Sequence, residues 1–281
     1  MALGSRIKLL KLFFYFFAIA SLAAPPFTSG STQGDLSASS PTRISHSDLF
    51  YAAESRNYPE DPDTLFLTTR GRGLHMYNIS GPAQFDKLSS WNTSKAVEGQ
   101  DRVGSLMVVS ELGVGPDGAF SESAGPALHL FDLSPPLTPQ LSPFATLDLS
   151  PFTDGILHVK LLSPAGSPSE TWAAVTGGFA TATEGALILV NLTRAVADRH
   201  SVPLSPSDVN IVSTPVNQPE GVLVHHGYVY VGGIESSSLC VINATDPASV
   251  NIVSTTGGVG MQVRRREGPP FRGYPPFTPS L

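Results

Sequence analysis

Apolar positions along this chain fall in runs of four to six residues, separated by clusters of Gly, Pro, Asn, Asp, Ser and Thr. The clearest stretch is Asn210–Val263. It holds one pentapeptide twice, Asn210–Thr214 and Asn251–Thr255, offset by 41 residues. Between the copies lie the runs Gly221–Val224, Tyr228–Val231 and Leu239–Ile242. Short β-branched and aromatic runs bounded by turn residues read as strands. With the pentapeptide as the fourth run, the stretch predicts one four-stranded unit.

The third run of this unit has three earlier counterparts: Gly73–Pro82, Ala127–Pro136 and Ala186–Ala195. Leu74, Leu128, Leu187 and Leu239 fall in register, and each run continues into Asn or Asp, one residue, then Ser or Thr. A period-2 strand closed by an Asx turn accounts for the pattern, because the Asx side chain bonds the backbone two residues on. Second strands are expected at Thr64–Thr68, Ser105–Ser110, Trp172–Thr176 and Tyr228–Val231. First strands are expected at Asp48–Ala53, Gly155–Leu162 and Gly221–Val224, with a poorly defined one near Glu98–Val103. Fourth strands are expected at Asp86–Thr93, Pro143–Leu149, Val209–Thr214 and Asn251–Thr255. The fold class this predicts is all-β: a β-propeller of four-stranded antiparallel blades, with about four blades at 45–95, 96–150, 151–216 and 217–257. A fifth begins at Gly260–Val263, so the repeat domain is 45–263, and the propeller is possibly incomplete. Residues 264–281 carry five prolines and no strand alternation, and read as a disordered or aberrant tail.

The runs Leu239–Pro247 and Leu74–Pro82, with the strand pair Gly221–Val231, resemble the LVIVD-repeat family of extracellular propeller-like proteins. The resemblance covers about residues 45–263 and departs from the pattern at Arg194-Ala195. It implies a propeller fold outside the cell. It carries over no catalytic residue.

The N-terminus adds a location. Arg6, Lys8 and Lys11 precede the apolar run Leu12–Leu22, too short to span a bilayer comfortably and of secretory length. Ser21-Leu22-Ala23 fits the small-x-small cleavage rule, so residues 1–23 are expected to be a signal peptide and 24–44 a flexible leader. The chain has 26 Gly and 25 Pro, about half as many again as an average chain, which suits many turns. Its net charge is −6, and loss of residues 1–23 removes three positive and no negative charges, giving −9. An acidic secreted chain is poorly suited to nucleic acid or, beyond its signal peptide, to an anionic membrane. One cysteine, Cys240, excludes an internal disulfide.

Candidate chemistry is sparse. Glu98-Gly99, Asp154-Gly155 and Glu220-Gly221 each place an acid-glycine pair where a first strand begins. Carboxylates recurring at a channel mouth would suit a hard, oxygen-liking cation such as Ca²⁺. Acid and glycine are also ordinary residues before a strand. Four N-x-S/T sequons, at Asn78, Asn92, Asn191 and Asn243, are glycosylation candidates. Three of the four occupy the Asx-turn position. His75 and His129 align with Ile188 and Cys240, which predicts packing between blades rather than ligation, while His158 sits in a first strand and reaches for the channel. No nucleophile elbow, phosphate loop or zinc-spaced Cys/His cluster occurs. The expectation is a secreted or surface binding module for a protein or glycan, without a catalytic residue. The alternative is a lactonase-like hydrolase using a metal on the acidic ring.

Overall fold

The structure, a computed structural model, describes residues 52–81, 86–113, 125–164, 167–177, 185–217, 219–233 and 238–257. The expected signal peptide, the leader, the start of a fifth blade and the Pro-rich tail lie outside the described residues.

Sixteen described strands form four antiparallel sheets, each a simple meander. Sheet 1 contains β1 (Ala52–Tyr58), β2 (Asp61–Thr69), β3 (Gly73–Asn78) and β4 (Asp86–Trp91). Sheet 2 contains β5 (Val97–Val103), β6 (Leu106–Glu111), β7 (Ala127–Asp132) and β8 (Ala145–Asp148). Sheet 3 contains β9 (Ile156–Leu162), β10 (Trp172–Gly177), β11 (Gly185–Asn191) and β12 (Val209–Thr214). Sheet 4 contains β13 (Pro219–His225), β14 (Tyr228–Gly233), β15 (Leu239–Asn243) and β16 (Asn251–Thr256). This is the all-β architecture of four-stranded antiparallel blades that the repeat predicts. In each sheet the third strand ends in the expected turn. Asn78, Asp132, Asn191 and Asn243 each accept, through Oδ1, the N–H of the residue two positions on, at 2.9, 2.8, 2.9 and 3.1 Å.

The sheets stack face to face because alternate side chains of one strand serve opposite neighbours. Met107 and Val109 join Phe66, Leu74 and Met76 between sheets 1 and 2. Val108, from the same strand, joins Val159, Ala173 and Val175 between sheets 2 and 3. Trp172 and Ala174 then turn the other way, to Val229, Val231 and Ile242 of sheet 4. Strands buried on both faces explain the near-continuous apolar runs, and each fully buried Leu, Phe or Met contributes about 1.5–3 kcal/mol.

First strands approach first strands: β5 lies between β1 and β9, and β9 between β5 and β13. The approach is closest at Gly99, where an added Cβ would stand 2.6–2.8 Å from backbone atoms of Leu157, His158 and Val159. Backbone cannot swing aside as a side-chain tip can. Gly99→Ala is therefore expected to cost about 2–3 kcal/mol in urea unfolding, as overpacking does; an unchanged midpoint would contradict the close approach.

A hydroxyl recurs at the inner end of the second strands. Thr68, Ser110 and Thr176 lie opposite Leu74, Leu128 and Leu187 and are fully buried. Each sits beside a bulge or irregularity in the pairing of the first two strands. Thr68 Oγ1 donates to the carbonyl of Glu98 in the next sheet and lies 3.3 Å from that of Glu54 in its own. Ser110 Oγ accepts Gly99 N–H at 2.9 Å and reaches the Leu157 carbonyl of the next sheet. Thr68 and Ser110 thus stitch neighbouring first strands, satisfying backbone groups that the bulges release, while Thr176 Oγ1 accepts His158 N–H at 3.1 Å within its own sheet.

The outer strands are covered by the sheet that follows. The segment 137–141 bonds β4: Ser90 N–H donates to Pro139 O at 3.1 Å and Leu141 N–H to Ser90 O at 2.8 Å. Thr146 N–H of β8 donates to Ser201 Oγ at 2.9 Å, and Val202 and Leu204 pack on the core there. Asn210 Nδ2 of β12 donates to Pro247 O at 2.9 Å. In sheet 3 the connection between β11 and β12 provides this cover. It holds a short helix, Thr193–Asp198, and a 3-10 turn, Pro206–Asp208.

The duplicated pentapeptide corrects a detail. Both copies are fourth strands, but they are not equivalent positions. Leu187 faces Val212 and the matching Leu239 faces Thr256, so equivalent fourth-strand residues are 44 apart rather than 41. A bulge near Val253 absorbs part of the slip.

Candidate binding site at one end of the sheets

In a meander, every connection from second to third strand opens at the same end as the start of the first strand. That end carries the expected carboxylates and the most divergent connections. Between β2 and β3 three residues suffice, whereas β6 and β7 are separated by residues 112–126.

Inner-strand residues at and below this end form charge pairs. Glu98 Oε2 accepts from Arg70 Nε at 3.0 Å and from Arg70 Nη2. Deeper, Asp101 Oδ1 takes the Lys160 ammonium at 2.8 Å and Oδ2 accepts Leu161 N–H at 2.8 Å, with Arg56 Nη1 at 3.9 Å. Arg56 also pairs with Glu54, whose Oε2 accepts Gln100 N–H at 2.8 Å. Register aligns Arg56, Asp101, Lys160 and Leu223, facing Phe66, Val108, Ala174 and Tyr230. The alternating plus, minus, plus signs explain the pairing and the apolar fourth member ends it.

Glu98 and Glu220 both sit at the first-strand bulge of their sheets, opposite Ser110 and Gly232. Burial, then Glu98, pushes the Glu220 carboxyl above its ordinary value, and Arg70 opposes the shift. These three groups therefore share the mouth. Asp154 does not occupy the matching position: the bulge of sheet 3 falls at Leu157-His158, opposite Thr176, and Asp154 lies exposed in the turn before β9. Among the described residues, no three His, Cys, Asp or Glu side chains gather as a metal site. Glu98, engaged by a guanidinium, is a poor calcium ligand, so Glu98, Asp154 and Glu220 do not fit a three-carboxylate cage.

His158 does reach the inner strands. Burial pulls its imidazole below the ordinary histidine value, with Glu54 and Glu98 opposing and Arg56 and Lys160 reinforcing. A histidine favoured as neutral in the fold makes the unfolded chain the stronger proton binder. Stability should therefore fall as pH drops below about 6.5, until the folded group also titrates. His158→Asn should flatten this part of a melting-temperature profile between pH 7 and 5; an equally steep profile in the variant would assign the loss elsewhere.

Glu111 and a cleft beside His75 were not singled out by sequence. Glu111, at the end of β6, is fully buried, with Lys95 Nζ 2.8 Å from Oε1 and His129 Nε2 2.7 Å from Oε2. His129 Nδ1 lies 3.1 Å from Thr146 Oγ1, and its ring packs on Trp91 of sheet 1 at 4.6 Å between centroids. This is the packing between blades that alignment predicts for His129. Cys240, at the same repeat position, is buried, and burial raises its thiol pKa. His75, with no described sheet before it, instead lines a cleft of about 440 Å³ with Gly71, Arg72, Lys87, Asn92, Thr93 and Ser94. Asn92 is exposed there, whereas the other three sequon asparagines are half-buried in their Asx turns.

No family model matches the chain. No curated protein matches it either. Among solved structures, it is similar to a hypothetical selenium-binding protein from Sulfolobus tokodaii (11% identity, TM-score 0.47, covering 70% of this chain and 48% of that one). It is also similar to the major Malassezia sympodialis allergen Mala s 1 (12% identity, TM-score 0.45, 70% and 61%). The computationally designed Ika8 protein is a more distant likeness (9% identity, TM-score 0.29, 73% and 74%). The chain thus spans about half the length of the first of these and under two thirds of the second.

Proposed function

We propose that the chain is a secreted or cell-surface binding module of the LVIVD-repeat kind, taking a protein or glycan at the loop end of its sheets. The observation that carries this reading is the placement of unequal second-to-third-strand connections at one end of a repeated, internally paired frame, with a cleft that runs from Gly71 and Arg72 at that end along sheet 1 to Lys87. Recognition residues collect on loops held by rigid elements. The basic side chains of the cleft favour anionic or hydroxyl-rich partners. Calcium and metal-assisted hydrolysis gain no support from a mouth where Arg70 already engages Glu98.

Expression in a eukaryotic secretory host, with the product applied to immobilised neutral and sulfated glycans and to cell surfaces, tests the reading. The mature chain should appear in the medium beginning near Ala24. Its binding should weaken at least tenfold in Arg72→Glu and persist in Glu60→Lys at the opposite end. In the same host, Asn92→Gln should remove one glycan mass. Intracellular retention, or binding lost only through Glu60→Lys, would sink the proposal.

A further inference from the structure

Among the described residues, β16 is an outer strand without the cover the other three possess. Segments of sheets 2, 3 and 4 bond β4, β8 and β12 respectively. Along β16 all six residues are exposed, and Ile252 and Val253 keep 41% and 53% of their surface in water. Nothing among the described residues bonds its outer edge. The strand Asn-Ile-Val-Ser-Thr-Thr has no charge and no proline. An uncharged β-branched edge with free N–H and C=O groups is a template for another strand, and natural edges are usually blunted by Lys, Pro or a covering loop. Only the bulge near Val253 blunts this one.

We propose that β16 is a self-association edge, through which two copies of this chain join antiparallel into one continuous sheet. A second copy is favoured over a charged partner because the strand suits itself. About a two-fold axis at Val253, Val253 faces Val253 of the partner subunit and Ile252 faces the partner's Ser254. Facing β-branched side chains suit an antiparallel ladder, and no like charges meet. Such a contact is isologous and closes at two copies, so it does not grow into a filament. The proposal goes beyond ligand binding at the loop end and does not depend on it.

Sedimentation velocity of the full chain from about 1 to 100 μM tests it. The expected result is a monomer–dimer equilibrium, with twice the chain mass dominant at the upper concentrations. Val253→Lys should shift the midpoint upward at least tenfold, because two ammonium groups would meet across the axis. Val103→Lys, at a 57% exposed position on another sheet, should not shift it. Both positions are exposed, so circular dichroism should stay unchanged; Ser254→Lys serves as a second edge variant if Val253→Lys fails to fold. A wild-type chain that stays monomeric throughout overturns the proposal, as does a dimer indifferent to both edge variants. If such a monomer is stabilised by an added extended, uncharged peptide, the edge belongs to a partner's strand instead.

Discussion

Glu111→Ala should lower the stability of the folded chain by about 3 kcal/mol, at the lower end of the cost of breaking a buried ion pair. The carboxylate is fully buried and divides its oxygens between Lys95 and His129. Lys95 can turn to water, since 45% of its side chain is exposed. His129 cannot: it is held between Trp91 and Thr146 and would keep a buried ring nitrogen without its acceptor. The truncated methylenes would leave a void at the junction of sheets 1 and 2. Glu111→Gln preserves the volume and one acceptor, and should lose about half as much. Urea unfolding with a constant m-value measures both. A loss under 0.5 kcal/mol in Glu111→Ala would show that the carboxylate is not structurally engaged.

Asp101→Ala should cost as much or more, about 3–5 kcal/mol, because it strands a buried ammonium. The Lys160 side chain is 10% exposed and its nearest anion is Asp101 at 2.8 Å. Burial already holds the Lys160 pKa below the ordinary lysine value, with Asp101 acting against the shift. The substitution also frees Leu161 N–H and removes an anion near Arg56. Sheet 4 suggests the control. Its residue in this column is Leu223, so the frame accepts an apolar side chain there. The double variant Asp101→Leu, Lys160→Leu should recover to within about 1–2 kcal/mol of the wild type, as apolar replacement of buried pairs does elsewhere. A double variant no better than the sum of its singles would mean that the pair is not coupled.

The sequence is most legible where strands are buried on both faces. β10 is expected at Trp172–Thr176 and spans Trp172–Gly177; β6 is expected at Ser105–Ser110 and spans Leu106–Glu111. The first strands are harder because their side chains face one another's charges instead of a core. β1 reads Ala-Ala-Glu-Ser-Arg-Asn-Tyr and runs to Tyr58, beyond the expected end at Ala53. β5, Val-Glu-Gly-Gln-Asp-Arg-Val, looks like a loop until Glu98 meets Arg70 and Asp101 meets Lys160. Those partners lie 28 and 59 residues away, and no local period can supply them.

The candidate site was legible in part. Asx turns and inter-blade histidine packing follow from aligned positions, and both appear in the structure. The acid-glycine pairs align by eye, but bulges separate Asp154 from Glu98 and Glu220. The repeated hydroxyl of Thr68, Ser110 and Thr176 stood at the end of three expected strands. Its role depends on bulges that alternation alone does not reveal. The pentapeptide misleads for a related reason: identical residues fill non-equivalent registers, because an outer, exposed strand is weakly bound to one pairing.

The central claim is that the inner-strand charges neutralise one another and leave recognition to the loop end. Thermal melting of the full chain across 0–10 mM CaCl₂ at fixed ionic strength, with magnesium and EDTA controls, tests it most directly. Superimposable curves are predicted, because binding confined to the folded state would raise the melting temperature with concentration. A saturable, calcium-specific rise that disappears in Glu98→Gln would contradict the claim and restore a metal centre at the mouth.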